Sequence, residues 1–401
     1  MRIAIIGGGA SGLTCAISIA RKAKEFKLNI EVSVFEAKDK TGKKLLATGN
    51  GRCNLMNRNQ GDFYFDNNGF SAFALKKYDV ISNLDFFSSL GLYTRTDEEG
   101  RIYPLSNQAS SVLDCFRFAC EDLKIKTLTD YTVDSIRFQN GKFIINNKLN
   151  FDKVILACGG KAAVKNFNGY ELLTQVGHKV THIRPSLTKF EVDDKKTVKQ
   201  LKGIKQKGEF SLFNAGELVC KEKGELLFTD YGLSGIAVMQ LSAYAVRCGK
   251  ELTVSADFVS ELSYNELVEA IKIYAASNTS LKNENLLSGF VQKRLGEIVI
   301  KNCGLNLIDR AADLTENQIR IIAKNLKKFR FRITAIRGFD DAQVTAGGAD
   351  TSLFNNKTME SKKIKGLYCI GEILDVDGLC GGYNLHWAWS SARLCGDSIV
   401  N

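Results

Sequence analysis

The sequence predicts an α/β fold in which a parallel-sheet domain is interrupted by an antiparallel, β-barrel-like domain. An apolar run at 2–6, a glycine-rich turn and a helical pattern open the chain as strand, turn and helix. From about residue 189 the pattern changes to short alternating runs, which are typical of antiparallel strands. The α/β pattern returns at 342–401, so we expect the chain to re-enter the first domain there.

The N-terminal segment predicts a βαβ unit. RIAII at 2–6 is followed by GGGASG and then by LTCAISIARKAKEF, whose apolar residues recur at helical spacing. A second apolar run at 30–35 ends in Glu36, and the crossover places the two parallel strands side by side. KVILACGG at 153–160 predicts a further buried strand that ends at a glycine pair.

The middle of the chain predicts a β-barrel-like domain that carries a small helical insert. The runs GEFSLF, ELVC and GELLFT, with the turn NAG between the first two, predict antiparallel strands. Ser263 with Glu266, and Thr315 with Gln318, are capping boxes that predict two helix starts. The predicted domains are 1–188 with 342–401, then 189–259 with 328–341, and the helical insert 260–327.

The composition indicates a cytoplasmic globular protein. Of 401 residues, 44% are hydrophobic and 25% charged, and no apolar run reaches the roughly 18 residues of a membrane span. The eleven cysteines are scattered without a C-x-x-C pair, and with only three histidines they predict reduced thiols and no metal site. A net charge of +11 favours anionic partners or substrates.

A G-x-G-x-x-G motif follows the first strand. Gly7 permits the turn, Gly9 lets the backbone approach a pyrophosphate, and Gly12 allows close helix packing. The helix start near Ala10 offers free amides and a positive dipole end to phosphates. Glu36, 24 residues after Gly12, can accept hydrogen bonds from a ribose, which favours FAD or NAD over NADP.

The loop GKKLLATGNGRCNLMN at 42–57 favours FAD over NAD. It places three glycines, two lysines and Arg52 directly after the second strand, whereas NAD-dependent dehydrogenases normally continue there with helix and strand. FAD enzymes of the glutathione-reductase type often send such a loop over the pyrophosphate and toward the flavin. The prediction is a Rossmann-like FAD-binding domain of that type; the alternative is a solvated basic loop.

Five motifs closely resemble the BaiN/RdsA (YhiN-type) flavoproteins, which are NAD(P)/FAD-dependent oxidoreductases. These motifs are GGGASGL, GKKLLATGNGRCNLMN, GELLFTDYGLSG, VTAGGAD and GLYCIGEILDVDGLCGGYNLHWAWSS, and the resemblance spans residue 3 to about 400. It implies an FAD domain interrupted by a β-barrel-like domain with a helical insert, in the order that the patterns indicate.

The resemblance also implies the site. Glu372 would bind the ribityl hydroxyls with the help of Asp377, the backbone at Val133 would meet the adenine, and GGYNL would lead into a final helix facing the flavin. Trp387 and Trp389 are expected to pack this helix rather than stack on flavin. The cofactor-binding residues indicated are Gly7, Gly9, Ala10, Ser11, Gly12, Glu36, Ala37, Lys43, Lys44, Thr48, Gly49, Gly51, Arg52, Cys53, Asn54, Val133, Ala157, Gly159, Gly160, Gly371, Glu372, Asp377, Gly382, Tyr383, Asn384 and Leu385.

FAD would supply the redox chemistry, and the protein a proton and a route for electrons. The chain holds no second G-x-G-x-x-G, so NAD(P)H is expected to act as a transient electron donor without a second Rossmann domain. Candidate proton donors are Cys53, Tyr103 and His386. Their alternatives are an inert cysteine, a loop anchor and a residue that caps or packs the last helix.

The family's reactions predict a reductase of a carbonyl-conjugated C=C bond. Its members reduce such bonds in steroid acids, oxidise small amines, or reduce uracil in ribosomal RNA to dihydrouridine. Ribosomal RNA is a candidate partner here because 195–208 carries six lysines and 324–332 carries five cations with two phenylalanines between them. The alternatives are a solvated lysine-rich surface, a flavin oxidase of a small amine or metabolite, and a non-catalytic FAD redox-sensing module.

Overall fold

The chain folds into two compact units. The computed structural model describes residues 1–59, 61–249 and 251–400. Unit 1 comprises Met1–Arg184 and Val344–Asn401, and unit 2 comprises Pro185–Gln343. The finer assignment of three domains, with 260–327 as a separate insert, stays a prediction.

The first part of unit 1 alternates strands and helices. Its elements are β1 (Arg2–Ile6), α1 (Ala10–Glu25), β2 (Glu31–Phe35), α2 (Lys43–Leu46), β3 (Met56–Asn57), β4 (Tyr64–Asp66), α3 (Ala72–Lys77), α4 (Val80–Ser89), β5 (Thr94–Thr96), β6 (Arg101–Pro104), α5 (Ala109–Asp122), β7 (Lys126–Leu128), β8 (Ile136–Gln139), β9 (Lys142–Ile145), β10 (Leu149–Phe151), β11 (Lys153–Leu156) and α6 (Gly169–Gln175), followed by β12 (Arg184–Ser186) at the boundary.

Unit 2 is a closed barrel with helices. Its elements are β13 (Phe190–Val192), α7 (Lys195–Gln200), β14 (Lys205–Asn214), β15 (Glu217–Phe228), β16 (Gly232–Ser234), α8 (Ile236–Ala245), β17 (Leu252–Asp257), α9 (Tyr264–Ser277), α10 (Asn283–Leu286), α11 (Lys293–Asn302), α12 (Glu316–Lys327) and β18 (Phe329–Ile336). The barrel order is β13-β16-β15-β14-β17-β18. The predicted antiparallel strands are confirmed, although ELVC and GELLFT belong to one strand, β15.

The chain then returns to unit 1 through β19 (Val344–Ala346), β20 (Leu367–Cys369), β21 (Val376–Gly378) and α13 (Tyr383–Val400). The central sheet has the order β20-β11-β1-β2-β7, and its strands pair in parallel. Because the re-entering strand β20 extends the sheet that β1 begins, the predicted re-entry is confirmed. The predicted fold class, α/β with an inserted barrel, is also confirmed.

Local sequence explains the elements that position the site. In β1 and β2 every residue after the first is buried, which fits the near-continuous apolar strands of a parallel sheet covered on both faces. In unit 2 both predicted capping boxes form, at Ser263 with Glu266 and at Thr315 with Gln318. Each unit has its own hydrophobic core.

The cation-rich segments of unit 2 differ from the prediction. Along β18, Phe329 and Phe331 are buried in the barrel core, whereas Arg330 and Arg332 are exposed. The prediction that these phenylalanines lie among the cations, where unstacked bases could reach them, is wrong because alternate residues of a strand face opposite sides. Several lysines of 195–208 also have acidic partners from outside that segment: Lys195 with Glu191 at 3.0 Å, Lys202 with Asp230 at 2.8 Å and Lys205 with Glu225 at 3.1 Å.

Within the part of the chain that the structure describes, no helix is both long enough and apolar enough to cross a bilayer.

Candidate functional site

The glycine turn after β1 lies tightly against β11 and α1. Gly7 has a φ of +110°, and a Cβ there would lie 2.3 Å from the carbonyl oxygen of Ala157. A Cβ on Gly12 would lie 1.9 Å from the carbonyl oxygen of Gly7. Both positions therefore exclude a side chain, Gly7 for the turn and Gly12 for the approach of α1.

The start of α1 is open. The helix begins at Ala10 without a side-chain cap, so the first-turn amides of Ala10, Ser11 and Gly12 have no intrahelical partner. A Cβ built on Gly9 would have nothing within 4 Å. The turn thus leaves space in front of amides that favour an anion.

Glu36 is fixed at the carboxyl end of β2. Its Oε2 accepts a hydrogen bond from the Gly8 amide at 3.0 Å, and its Oε1 accepts one from the Lys38 amide at 2.9 Å. Ala37 lies between Glu36 and Lys38 in the sequence. The carboxylate is therefore held beside the glycine turn, where a ribose hydroxyl would have to bind.

The loop 42–57 is ordered by short helical turns. It forms α2 and then a 3-10 turn at Thr48–Gly51. Arg52 places its guanidinium 4.7 Å from the ring centroid of Tyr103. The Cys53 thiol is buried, and burial raises its pKa to about 12, so the thiol stays protonated at neutral pH.

Lys44 and Glu372 join the N-terminal and C-terminal parts of unit 1. Lys44 Nζ lies 2.9 Å from Glu372 Oε2, and the Thr345 amide donates to Glu372 Oε1 at 3.0 Å. The glycine pair that follows β11 lies against the same carboxylate, since a Cβ on Gly160 would be 2.7 Å from Glu372 Oε1. The acid that the resemblance assigns to the ribityl end thus shares a cluster with a lysine of the 42–57 loop.

The C-terminal segment also contacts the glycine turn. A Cβ on Gly371 would be 2.7 Å from Ser11 Oγ, so the two ends of the chain converge. Trp387 Nε1 donates to the Gly371 carbonyl at 3.1 Å, and Trp389 Nε1 donates to the Leu55 carbonyl at 2.9 Å. The indoles are 1% and 0% exposed, so the prediction that both tryptophans serve packing is confirmed.

Helix α13 begins at Tyr383, within the GGYNL segment that was expected to lead into it. The Asn384 side chain accepts from the Gly378 amide at 2.8 Å and donates to the Gly378 carbonyl at 2.7 Å. Asn57 Nδ2 donates to the Gly381 carbonyl at 3.2 Å. These bonds tie the helix start to β21 and β3.

His386 lies in the second half of the first turn of α13 and is buried. Its Nε2 lies 3.2 Å from the Tyr78 carbonyl oxygen, which can only accept, so Nε2 carries the hydrogen. Its Nδ1 lies 3.4 Å from Tyr64 Oη, which donates its own hydrogen to the Tyr383 carbonyl at 3.1 Å. Burial lowers the pKa of His386 to about 4, which leaves the imidazole neutral at pH 7.

This shift predicts a pH dependence of stability. Below its ordinary pKa of 6.5 the histidine takes up a proton in the unfolded chain, but in the folded chain only near pH 4. Its contribution to stability is complete above pH 6.5 and is lost as the pH falls toward 4, about 2 kcal/mol of it by pH 5. Urea unfolding followed by tryptophan fluorescence at pH 7 and pH 5 measures the loss. His386→Gln should lose clearly less than wild type, and an equal loss in both proteins would contradict the assignment.

The other predicted residues divide between the two ends of the site. Ala157 follows β11 beside the glycine turn, whereas a Cβ on Gly159 would lie 3.7 Å from Glu372 Oε2. The Val133 carbonyl accepts from Asn168 Nδ2 at 2.9 Å. Asp377 is buried in β21, which pairs with β4. The catalytic roles of Cys53, Tyr103 and His386 stay predictions, as do the cofactor-binding roles. Sequence reasoning missed Thr345 and Asn57, although VTAGGAD and the 42–57 loop already contained them.

The described residues fit FAD on observations of their own. Gly9 leaves open space before amides suited to a pyrophosphate. Asn54 Oδ1 is buried and has no hydrogen-bond partner among the residues described. A Cβ added to Gly382 would lie 2.8 Å from this oxygen. Because a buried polar atom without a partner is costly, a ligand group beside Gly382 would satisfy it.

A glycine turn alone would serve NAD as well as FAD, and here the C-terminal segment also returns to that turn. The fold is that of an FAD-dependent oxidoreductase. The chain belongs to the family described as "HI0933-like protein Rossmann domain", whose model matches residues 1–398. The resemblance to the BaiN/RdsA flavoproteins is confirmed.

Two curated relatives align along nearly the whole chain. A protein of Clostridium scindens named 3-dehydro-bile acid delta(4,6)-reductase is 34% identical over 98% of each chain. A protein of Haemophilus influenzae named ribosomal RNA dihydrouridine synthase is 31% identical over 98% of this chain and 97% of its own. Among solved structures, 3-ketosteroid delta1-dehydrogenase of Sterolibacterium denitrificans aligns over 99% of both chains at 11% identity and a TM-score of 0.46.

Proposed function

We propose that the protein reduces a C=C bond conjugated to a carbonyl group, with NAD(P)H as the donor of electrons to its flavin. The observation that carries the proposal is the convergence of the two chain ends at Ser11 with Gly371 and at Lys44 with Glu372. This convergence would enclose an extended cofactor, and the relatives of the chain are named as a bile-acid reductase and a dihydrouridine synthase.

We propose the predicted residues as the FAD site. The amides at the start of α1 bind the pyrophosphate, Glu36 accepts hydrogen bonds from the adenosine ribose, and Glu372 accepts them from the ribityl chain. Lys44 neutralises and positions the Glu372 carboxylate. Asn54 and the start of α13 hold the flavin end.

Bound FAD supplies hydride transfer. The chain excludes water from the flavin end with Trp387, which is buried beside Gly371, and with the half-buried Tyr64. The Cys53 thiol holds a proton at neutral pH, because burial raises its pKa to about 12. The Tyr103 hydroxyl and neutral His386 are the other groups that could hold a proton for the substrate carbon.

An enone and the C5=C6 bond of uracil present the same chemistry, because a conjugated carbonyl activates both toward hydride. A single flavin site can therefore account for relatives named for a bile acid and for ribosomal RNA. We propose uracil in ribosomal RNA as a candidate substrate, supported by two relatives with the name ribosomal RNA dihydrouridine synthase, at 31% and 29% identity.

Anaerobic spectroscopy of the purified flavoprotein tests the reaction. We expect NADH or NADPH to bleach the flavin, and an enone or a uridine-containing RNA to restore its colour without oxygen. Recovery only with oxygen, accompanied by peroxide, would indicate an oxidase. No bleaching and no turnover would indicate a redox-sensing module.

The RNA substrate has a separate test. Ribosomal RNA from a strain that lacks this gene should lose one dihydrouridine, which returns when the wild-type gene is restored. An unchanged dihydrouridine profile would contradict the RNA assignment but not the reduction of a small enone.

A further inference from the structure

We propose that one face of the small antiparallel sheet β3-β6-β5 binds the phosphate backbone and an unstacked base of a single-stranded RNA substrate beside the flavin end of the site. This inference rests on the proposed function and names its partner surface. The arginine face, as we call it, consists of Arg52, Tyr93, Arg95, Arg101 and Tyr103.

Strand register places these side chains together. β6 lies between β3 and β5, with Arg95 opposite Tyr103 and Asn57 opposite Arg101. Directly opposed residues share a face, and so do Arg101 and Tyr103, which are two apart on one strand. Tyr93 is two residues before Arg95, and its carbonyl accepts from the Leu105 amide at 2.8 Å, which continues the pairing of β5 with β6.

The arginine face adjoins the flavin end of the site. Arg52 covers the Tyr103 ring at 4.7 Å, and a Cβ on Gly49 would lie 3.5 Å from Tyr103 Cε1. Asn57, opposite Arg101, donates to the Gly381 carbonyl just before α13. A substrate whose backbone crosses this face would therefore pass beside the glycines that lead into α13.

Two of the three arginines of this face are available to a ligand. Arg52 and Arg95 are exposed, and neither has an acidic partner within 4.0 Å among the residues that the structure describes. Arg101 pairs with Glu99, so the acids of the β5–β6 turn mark one edge of the face. In unit 2, by contrast, three of the six lysines of the basic segment 195–208, Lys195, Lys202 and Lys205, already have acidic partners.

The residue types fit RNA. A guanidinium binds phosphate oxygens in a bidentate manner that an ammonium group cannot reproduce. Tyr93 is 68% exposed, and an exposed ring beside arginines offers a platform for an unstacked base. The face thus combines arginines that have no acidic partner with an exposed aromatic ring. Segment 324–332 of the barrel lacks this combination, since its Phe329 and Phe331 are buried.

Fluorescence anisotropy with a labelled single-stranded oligouridine, titrated with the FAD-loaded protein at several salt concentrations, tests the surface. Arg95→Gln should weaken binding roughly five- to tenfold and lower the salt slope by about 0.7, the value for one lost phosphate contact on a single strand. Arg95→Lys should keep most of that slope. Tyr93→Ala should weaken binding by at least about fivefold with an unchanged slope, because stacking releases no counterions.

Matched controls come from the same unit. Arg137→Gln removes an exposed arginine from β8, and Phe118→Ala removes a ring that is 66% exposed on α5. Both should bind oligouridine like wild type, and all five variants should keep their flavin absorption. Equal effects of Arg95→Gln and Arg137→Gln, or no binding by wild type, would overturn the proposal. The enone test on the same preparation then shows separately whether the reductase function stands.

Discussion

Replacing Glu36 by alanine is expected to weaken FAD binding roughly 10- to 100-fold. The carboxylate is held at the end of β2 by the amides of Gly8 and Lys38, at 3.0 and 2.9 Å, where we propose that it meets the ribose hydroxyls. Hydrogen bonds to an ionised group contribute about 1.5–3 kcal/mol each, which corresponds to that range. Titration of the apoprotein with FAD, followed by flavin fluorescence, measures the loss.

The two ends of the cofactor provide the control. Riboflavin lacks the adenosine, so Glu36→Ala should leave riboflavin affinity unchanged. Glu372→Ala should weaken riboflavin and FAD alike, because Glu372 is assigned to the ribityl chain. FAD affinity equal to wild type in both variants would contradict the proposed placement of the cofactor.

The parts of the fold that local sequence determines were predictable. The glycine turn could be predicted from its own motif together with the strand before it and the helix after it. The structure places Gly7 and Gly12 in the contacts that the motif implies. Each capping box spans only four consecutive residues, and both form as expected. Parallel strands covered on both faces can be recognised in the sequence as apolar runs, and β1, β2 and β11 are examples.

The parts that depend on distant contacts were not predictable. Glu372 is 328 residues from Lys44, and no local pattern indicates that the two meet. The sheet β3-β6-β5 consists of strands of two to four residues, too short for a clear period. One error was avoidable: FRFRI alternates with period two, which predicts a single buried face, and this signal outweighs the charge of the arginines.

The last prediction compares Gly12, which is crowded by the backbone of the turn, with Gly9, which has open space around it. Gly12→Ala is expected to destabilise the protein by roughly 2–4 kcal/mol, although alanine normally favours a helix, because its Cβ would lie 1.9 Å from the backbone oxygen of Gly7. Since α1 packs on α13, urea unfolding followed by the fluorescence of Trp387 and Trp389 reports the loss.

Gly9→Ala is the matched variant: the backbone at Gly9, with φ −87°, accepts alanine, and nothing lies within 4 Å of the new Cβ. It should unfold like wild type without FAD, yet bind FAD more weakly, because the methyl group enters the space assigned to the pyrophosphate. If Gly9→Ala bound FAD normally, the cofactor would not approach the turn where we place it. If Gly12→Ala were as stable as wild type, α1 would have to move away from the turn at little cost.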